Sequence, residues 1–305
     1  MILDDLVAAT KKRLITEKND IPFDKMKEMA LNIRSMELNE SRADKTRSDN
    51  TRADNTRADK TNETELKESE APEVKASKSV ASDYRFTKAL EGPGIHFICE
   101  VKKASPSKGI IADNFPYIDI AREYENIGAD CISVLTEPDY FKGNINYLKD
   151  IQDAGVTTPL LRKDFTIDEY MIYQAKVYGA SAILLICAIL DDKRLKEYHE
   201  LATSLGLSVL VEAHDEDEVR RALNIDARII GVNNRNLKDF SVDLGNSIRL
   251  REMVPADKIF VAESGIKTEA DMFKLRDAGV NAVLIGETMM RADDKRGMIK
   301  RLKGI

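Results

Sequence analysis

The sequence predicts an α/β protein, a (β/α)8 TIM barrel with an N-terminal helical extension and a low-complexity insertion. Three observations predict it. Eight short apolar runs recur between residues 96 and 286. Most intervals between them carry a helical stretch, and the runs start about 20–35 residues apart, the length of one βα unit. No GxGxxG follows the first run, as it usually does in a doubly wound open sheet.

The eight runs are HFICEV (96–101), CISVL (131–135), PLLR (159–162), AILLI (182–186), SVLVEA (208–213), IIGVN (229–233), IFVAE (259–263) and AVLIG (282–286). Between them, IDIAREYENIG, IDEYMIYQAKVYG and EADMFKLRDAG read as amphipathic helices, and the last two end in glycine, a common C-terminal stop. Eight strands alternating with helices close most naturally into a barrel. The barrel is assigned to residues 82–305.

Two further zones precede it. In residues 1–40, Ile2, Leu3, Leu6 and Val7 recur at helical spacing, as do Met26, Met29, Ala30 and Ile33. Pro22 stands where proline tolerates a first helical turn. Two short helices are expected, each needing a surface to pack on. Residues 41–81 contain SRADK, TRSDN, TRADN and TRADK in tandem, a five-residue repeat. Five matches neither the helical nor the strand period. With almost no large apolar side chains, the segment is expected to be disordered or a loosely helical tether. A nucleic-acid-binding arm is disfavoured, because each Arg is followed two residues later by Asp.

The chain has 305 residues, a formal net charge of −6, 43% apolar and 33% charged residues. An acidic whole argues against a nucleic-acid binder, which carries a basic surface. Cys99, Cys131 and Cys187 are far apart and lie in or beside apolar runs. They read as buried, reduced thiols of a cytosolic protein. His96, His199 and His214 include no HExxH-like pair, so no metal site is expected. The opening MILDDLVAATKKRLITEKND lacks a signal-peptide pattern, and no run is long enough to span a bilayer. A cytoplasmic protein without membrane contact is expected.

The active site of such a barrel lies at the C-terminal strand ends. Polar residues there are Glu100, Lys102 and Ser105 after strand 1, Arg162, Lys163 and Asp164 after strand 3, and Glu212 and His214 after strand 5. Asn233, Asn234 and Arg235 follow strand 6, and Glu263 and Ser264 follow strand 7. Glu100 and Lys102 share one face, being two apart. Any one of these charges is equally well a rim residue or a structural ion pair. Together they converge on one mouth, which a set of unrelated ion pairs does not explain.

Lysines and glutamates in one pocket make an acid–base set. A desolvated or cation-crowded lysine loses basicity, and a glutamate against apolar walls gains it. A Schiff-base lysine is the other use of Lys163. Ser264-Gly265 and Gly286-Glu287 follow strands 7 and 8, where barrels bind phosphate through backbone N–H groups. Glycine permits close approach of the anion. Asp191-Asp192 and Asp215–Glu218 read as acidic helix starts rather than metal ligands, and Met289-Met290 as core. His214 reads equally as a partner of Glu212 or as a solvated loop residue.

The segment CEVKKASPSKG (99–109) resembles the Glu-x-Lys-x-x-Ser-Pro-Ser signature of the indole-3-glycerol phosphate synthase family. LTEPDYFKG (135–143), LLRKDF (160–165), LVEAHDEDE (210–218), GVNNRNL (231–237), VAESGI (261–266) and LIGETMMR (284–291) agree in order. So do ILDDLVAATKK, IPFDKMKEMA and RFTKAL, which leaves only about residues 41–80 outside the match. The resemblance implies ring closure of 1-(2-carboxyphenylamino)-1-deoxyribulose 5-phosphate with loss of CO2 and water, with no cofactor and no metal. It implies Lys163 as the acid at the ketone oxygen and Glu212 as the carboxylate assisting proton removal and dehydration. Lys102 meets substrate anionic groups, with Glu100 beside it. Asn233 and Glu263 are implied as positioning residues, and Ser105 and Arg235 as contacts to the polar head. Ser264, Gly265, Gly286 and Glu287 form the phosphate cradle, and Phe141 and Phe165 the walls around the anthranilate ring. A monomer is expected, with association with other tryptophan-pathway enzymes left open.

The insertion is a departure from the family, whose N-terminal helices run almost directly into the RxFxxAL-like stretch. Three rival readings remain. Phosphoribosylanthranilate isomerase uses a Cys–Asp pair at strand ends, whereas Cys99 points away from the face of Glu100. A binding-only barrel would be expected to lack part of the Lys102, Lys163, Glu212 set. A structural protein would use the repeat as a tether.

Overall fold

The computed structural model describes residues 2–55, 84–236 and 239–304. Eight strands form one closed parallel barrel: β1 (His96–Val101), β2 (Cys131–Leu135), β3 (Leu160–Lys163), β4 (Ala182–Ile186), β5 (Ser208–Ala213), β6 (Ile229–Asn233), β7 (Ile259–Glu263) and β8 (Ala282–Ile285). β8 pairs with β1 through His96–Cys99 against Ala282–Ile285, which closes the ring. Each strand lies within one residue of its predicted run. Pro159, predicted as the first residue of strand 3, falls outside β3, as expected of a residue with no N–H for the ladder.

The pleat sorts side chains into two cores. The inner one contains Ile98, Cys131, Leu161, Leu184, Leu210, Ile229, Val261 and Leu284. Phe86 and Leu90, from α3 (Arg85–Ala89) and the residue that ends it, plug the N-terminal end. Thr87 donates to Ser208 Oγ there at 2.8 Å. The outer core, between strands and helices, contains Phe97, Cys99, Ile132, Val134, Ile183, Val211 and Phe260. Apolar residues fill the lower barrel, and its top layer mixes Glu212 and Glu263 with Ile186 and Leu284.

Helices α1 (Ile2–Asp20) and α2 (Phe23–Asn55) precede the barrel. Leu6, Leu14, Met26 and Ala30 are buried. Pro22 accepts the first-turn bond from the Met26 N–H. α2 continues through Asn55, into the third pentapeptide. The rest of the predicted 41–81 insertion, from residue 56 to residue 81, lies outside the described residues.

α4 (Tyr117–Asn126), α5 (Asn146–Asp153), α6 (Glu169–Val177), α7 (Asp192–Ser204), α8 (Glu216–Asn224), α9 (Gly245–Arg251), α10 (Glu269–Asp277), α11 (Glu287–Met290) and α12 (Lys295–Lys303) complete the shell. The sequence reading of α6 as amphipathic is corrected: Tyr170 to Lys176 are all buried. One side of α6 faces the barrel and α2 covers the other, as its all-round apolar surface requires. Lys176 reaches out to Glu37 at 2.7 Å.

The acidic pairs act as helix starts. Asp191 and Asp215 accept the Arg194 and Glu218 N–H groups and cap α7 and α8. Met289 is core. All three cysteines are free and buried. Among the described residues, no helix is long and apolar enough to cross a membrane.

Candidate active site

The C-terminal ends of the strands surround a cavity of about 470 Å³. Every residue implied as part of the site lines it: Glu100, Lys102, Ser105, Phe141, Lys163, Phe165, Glu212, Asn233, Arg235, Glu263, Ser264, Gly265, Gly286 and Glu287. Arg162, His214 and Asn234, also read as converging on the mouth, do not line it. Leu6 of α1 lines it too, so the N-terminal extension forms part of its wall.

Lys163, the last residue of β3, points inward. Its Nζ lies 2.8 Å from Glu212 Oε2 and 2.9 Å from Glu263 Oε2. Only 14% of its side chain is exposed. Burial opposes its charge, but Glu212, Glu263 and Glu100 outweigh burial and hold its pKa above the ordinary lysine value. The expectation of a lysine made less basic is therefore corrected. Its neighbours are carboxylates, not cations, and their attraction exceeds the desolvation term.

The two glutamates divide. Burial pushes Glu212 up, but Lys163 and His214 bring it down to about 2. Glu263 is pushed up to about 7, first by burial and then by the adjacent Glu212 charge, with Lys163 opposing. The divided pair combines one firmly ionised carboxylate with one that takes a proton near neutrality. Glu263 Oε1 is buried without a hydrogen-bond partner. It sits over Gly231, where a Cβ would overlap it. The sequence reading missed Gly231, because an inward glycine in a strand is legible only once its opposite number is known.

Beside this triad, Lys102 donates to Glu100 at 2.5 Å. Gly286 faces the pair, and a Cβ there would overlap both side chains. Gly286 thus makes room for the Glu100 and Lys102 side chains at the β7–β8 end of the cavity.

At that end, Ser264 and Gly265 both have left-handed backbone, with φ of 69° and 84°. Such a conformation costs a non-glycine residue about 1 kcal/mol. Asn234, read from the sequence only as a polar residue after strand 6, is buried and holds the turn: its Nδ2 donates to Ser264 O at 3.2 Å, and its Oδ1 accepts from the Ser247 N–H and hydroxyl. Glu287 opens α11, and its carboxylate is faced by Arg291 Nε at 3.1 Å and Lys108 Nζ at 3.9 Å. Those cations offset a side-chain charge that would otherwise repel an anion.

Phe141 and Phe165 form the opposite side, with ring centroids 6.2 Å apart. Arg235 is anchored by its N–H to Asn233 Oδ1 and by its guanidinium to Phe240 O. His214 is largely buried. Its Nδ1 lies 3.2 Å from Glu218, while its Nε2, 3.6 Å from Glu212, makes no hydrogen bond. It is thus a buried electrostatic neighbour of Glu212 outside the cavity lining rather than a solvated loop residue.

A family model described as indole-3-glycerol phosphate synthase matches residues 53–302. The chain belongs to the indole-3-glycerol phosphate synthase family. The synthase of Ruminiclostridium cellulolyticum is 58% identical over 231 residues, covering 75% of this chain and 88% of that protein. That of Lacticaseibacillus paracasei is 59% identical over 218 residues, covering 72% and 84%. Among solved structures, 3-hexulose-6-phosphate synthase from Salmonella typhimurium superposes with a TM-score of 0.57 at 14% identity, covering 69% of this chain and 97% of that one, a likeness of fold alone. The family activity is a carbon–carbon lyase step of tryptophan biosynthesis. It closes the pyrrole ring of 1-(2-carboxyphenylamino)-1-deoxyribulose 5-phosphate and releases CO2 and water.

Proposed function

We propose that this cavity performs the indole-3-glycerol phosphate synthase reaction with Lys163 as the principal acid. The observation that carries this reading is the placement of Lys163 Nζ between Glu212 and Glu263 on the cavity floor. As the ring carbon attacks C2, charge develops on the ketone oxygen. A fixed ammonium stabilises it and hands over a proton. An alkoxide is basic enough to take that proton even from a lysine of raised pKa. Glu212, ionised and held by Lys163, accepts the proton released as the pyrrole forms and assists loss of the hydroxyl.

Lys102, paired with Glu100, meets the substrate's anionic groups. Asn233 and Glu263 position the pair, and Ser105 and Arg235 hold the polar head. Ser264, Gly265, Gly286 and the Glu287 N–H cradle the phosphate. Phe141 and Phe165 flank the anthranilate ring. Fixing a dianionic tail and an aromatic head at opposite ends brings the reacting carbons together.

The raised pKa of Glu263 favours a second role for it, as a proton carrier during dehydration. In that role, the free-enzyme limb of the kcat/KM profile near pH 7 disappears in Glu263→Gln. The three free, buried thiols support a reducing cytoplasmic setting. We read the protein as a monomer, which sedimentation of the purified chain tests. We read residues 41–81 as an insertion without a catalytic part, and deletion with activity retained tests that.

The test of the main reading is turnover of the carboxyphenylamino-deoxyribulose phosphate, followed by indole fluorescence. Product formation that collapses in Lys163→Ala supports it. A folded protein that binds the substrate and forms no indole overturns it.

A further inference from the structure

We infer that Glu137 is a positioning residue that builds the aromatic wall of the cavity. It stands two residues beyond the end of β2, and its side chain is fully buried. Its carboxylate collects three successive backbone donors. Oε1 accepts the Asp139 N–H at 2.9 Å, and Oε2 accepts those of Tyr140 at 2.8 Å and Phe141 at 2.9 Å. The intervening Pro138 has no N–H to offer. From Pro138 to Phe141, every available backbone donor therefore ends on this one carboxylate.

The far side of the loop is closed on the same residue. The Gly143 N–H donates to Glu137 O at 2.8 Å. Lys142 is left-handed at φ 55°. A Cβ on Gly143 would overlap the carbonyl oxygen of Leu135 and crowd that of Glu137. The chain is thus folded back tightly against the strand end, with Phe141 on the loop so held.

Phe141 has no other anchor of this kind, and its partner wall is built in the same manner. The Phe165 N–H donates to Asp164 Oδ1 at 2.9 Å. Each ring of the pair is hung from a buried carboxylate through its own backbone N–H. The two carboxyl oxygens of this side chain serve as acceptors for three converging donors. A glutamine would place an NH2 against one of them, leaving a buried donor unmatched. Glu137 acts on the reaction only through Phe141, so its effect belongs in substrate binding at the aromatic end and not at the phosphate end.

This inference rests on the reading of Phe141 and Phe165 as the walls around the anthranilate ring. The full-length enzyme is therefore compared as wild type, Glu137→Gln, Glu137→Asp, Phe141→Ala and the Glu137→Gln/Phe141→Ala double variant. Two quantities are read: KM for the carboxyphenylamino-deoxyribulose phosphate, and the inhibition constant of inorganic phosphate. We expect Glu137→Gln to raise KM roughly tenfold, about 1.4 kcal/mol, with phosphate inhibition unchanged. Glu137→Asp keeps the charge and recovers part of the loss. The double variant rises no further than Phe141→Ala alone, because both act on one ring.

A KM unmoved in Glu137→Gln but raised in Phe141→Ala overturns the role of Glu137. So does a parallel rise of KM and the phosphate constant, which marks a general disturbance. A KM unmoved in Phe141→Ala removes the wall reading itself. Amide exchange on the wild-type protein reads the same contact without a variant. Slow exchange at Asp139, Tyr140 and Phe141 is expected, and fast exchange there overturns the inference.

Discussion

Two buried charge clusters lie on opposite sides of one stretch of chain, and they are built differently. Arg162 and Asp164 face outward, toward α1 and α6. Asp164 receives both of its contacts from Arg13 at 3.0 Å, together with Arg162 at 3.2 Å, the Thr136 hydroxyl at 2.6 Å and the Phe165 N–H. Arg162 also donates to Met171 O. Two guanidiniums and a hydroxyl converge on this one carboxylate, which is fully buried at the cavity's edge. That carboxylate is held below its usual range: burial works against it, but Arg13 and Arg162 prevail. Lys163, between them in sequence, faces inward among Glu100, Glu212 and Glu263, where one carboxylate oxygen has no partner. The outer network stiffens the structure by closing its carboxylate with five hydrogen bonds, although Arg13 Nε and Nη1 make none. A cluster that lines a cavity and has pKa values driven apart is the arrangement expected of a site of chemistry. The difference teaches that burial of charge alone does not mark a site. What marks it is a pair of carboxyl groups driven apart in pKa around one cation, beside open space.

The comparison is broken most severely by removing its inner cation. Lys163→Ala is expected to lower kcat by roughly 100- to 1000-fold, the loss typical of one charge-stabilising donor. Steady-state indole production measures it, and a loss below about tenfold would place the acid elsewhere. On the outer side, Asp164→Asn strands Arg13 and Arg162 and is expected to destabilise the fold by about 3–5 kcal/mol. The urea midpoint reads that loss. An unchanged midpoint would mean that the outer network is not structural.

Gly231→Ala sharpens the comparison more gently. Its Cβ displaces the Glu263 carboxyl while leaving every charge in place. A kcat reduced by roughly 10- to 100-fold with the melting temperature nearly kept is expected, since misplacement by an ångström suffices.

The pH dependence separates the two glutamates. The folded pKa of Glu263, about 7, is raised above its ordinary 4.5. Its stabilising contribution is therefore present below 4.5 and is lost as pH rises through 7. Glu212 is depressed to about 2, so its contribution is present above 4.5 and is lost as pH falls toward 2. Glu263→Gln is expected to gain roughly 2–4 °C in melting temperature over wild type at pH 8, with the gain vanishing near pH 4.5. An equal gain at both values would contradict the raised pKa. The smallest effect belongs to the half-exposed pair of Lys18 with Asp168 at 2.8 Å. Lys18→Ala is expected to change unfolding free energy by less than about 1 kcal/mol.

Much of this molecule is legible along the chain. Alternation in HFICEV or SVLVEA depends on neighbours two apart, so strand and face follow locally, and the strand ends follow from the faces. That is why Glu100, Lys163, Glu212 and Glu263 could be gathered before any coordinates. Gly231 and Glu137 could not be gathered in that way. The first matters because of a side chain on the next strand. The second matters because a loop wraps around it, and a lone Glu before Pro carries no such signal.

The sequence by itself determined the order of strands along the chain, the inward positions of Glu100, Lys163, Glu212 and Glu263, and the family. It also placed Arg162 in the mouth, where the structure turns it outward onto Met171 O and Asp164. Only the tertiary structure decided the sign of the Lys163 shift, the double burial of α6 and the reason for glycine at 286. Those depend on groups such as Glu212 and Glu263, 49 and 100 residues from Lys163. Coulomb and steric energies are set by distance in space, which the order of residues does not contain until the barrel has closed.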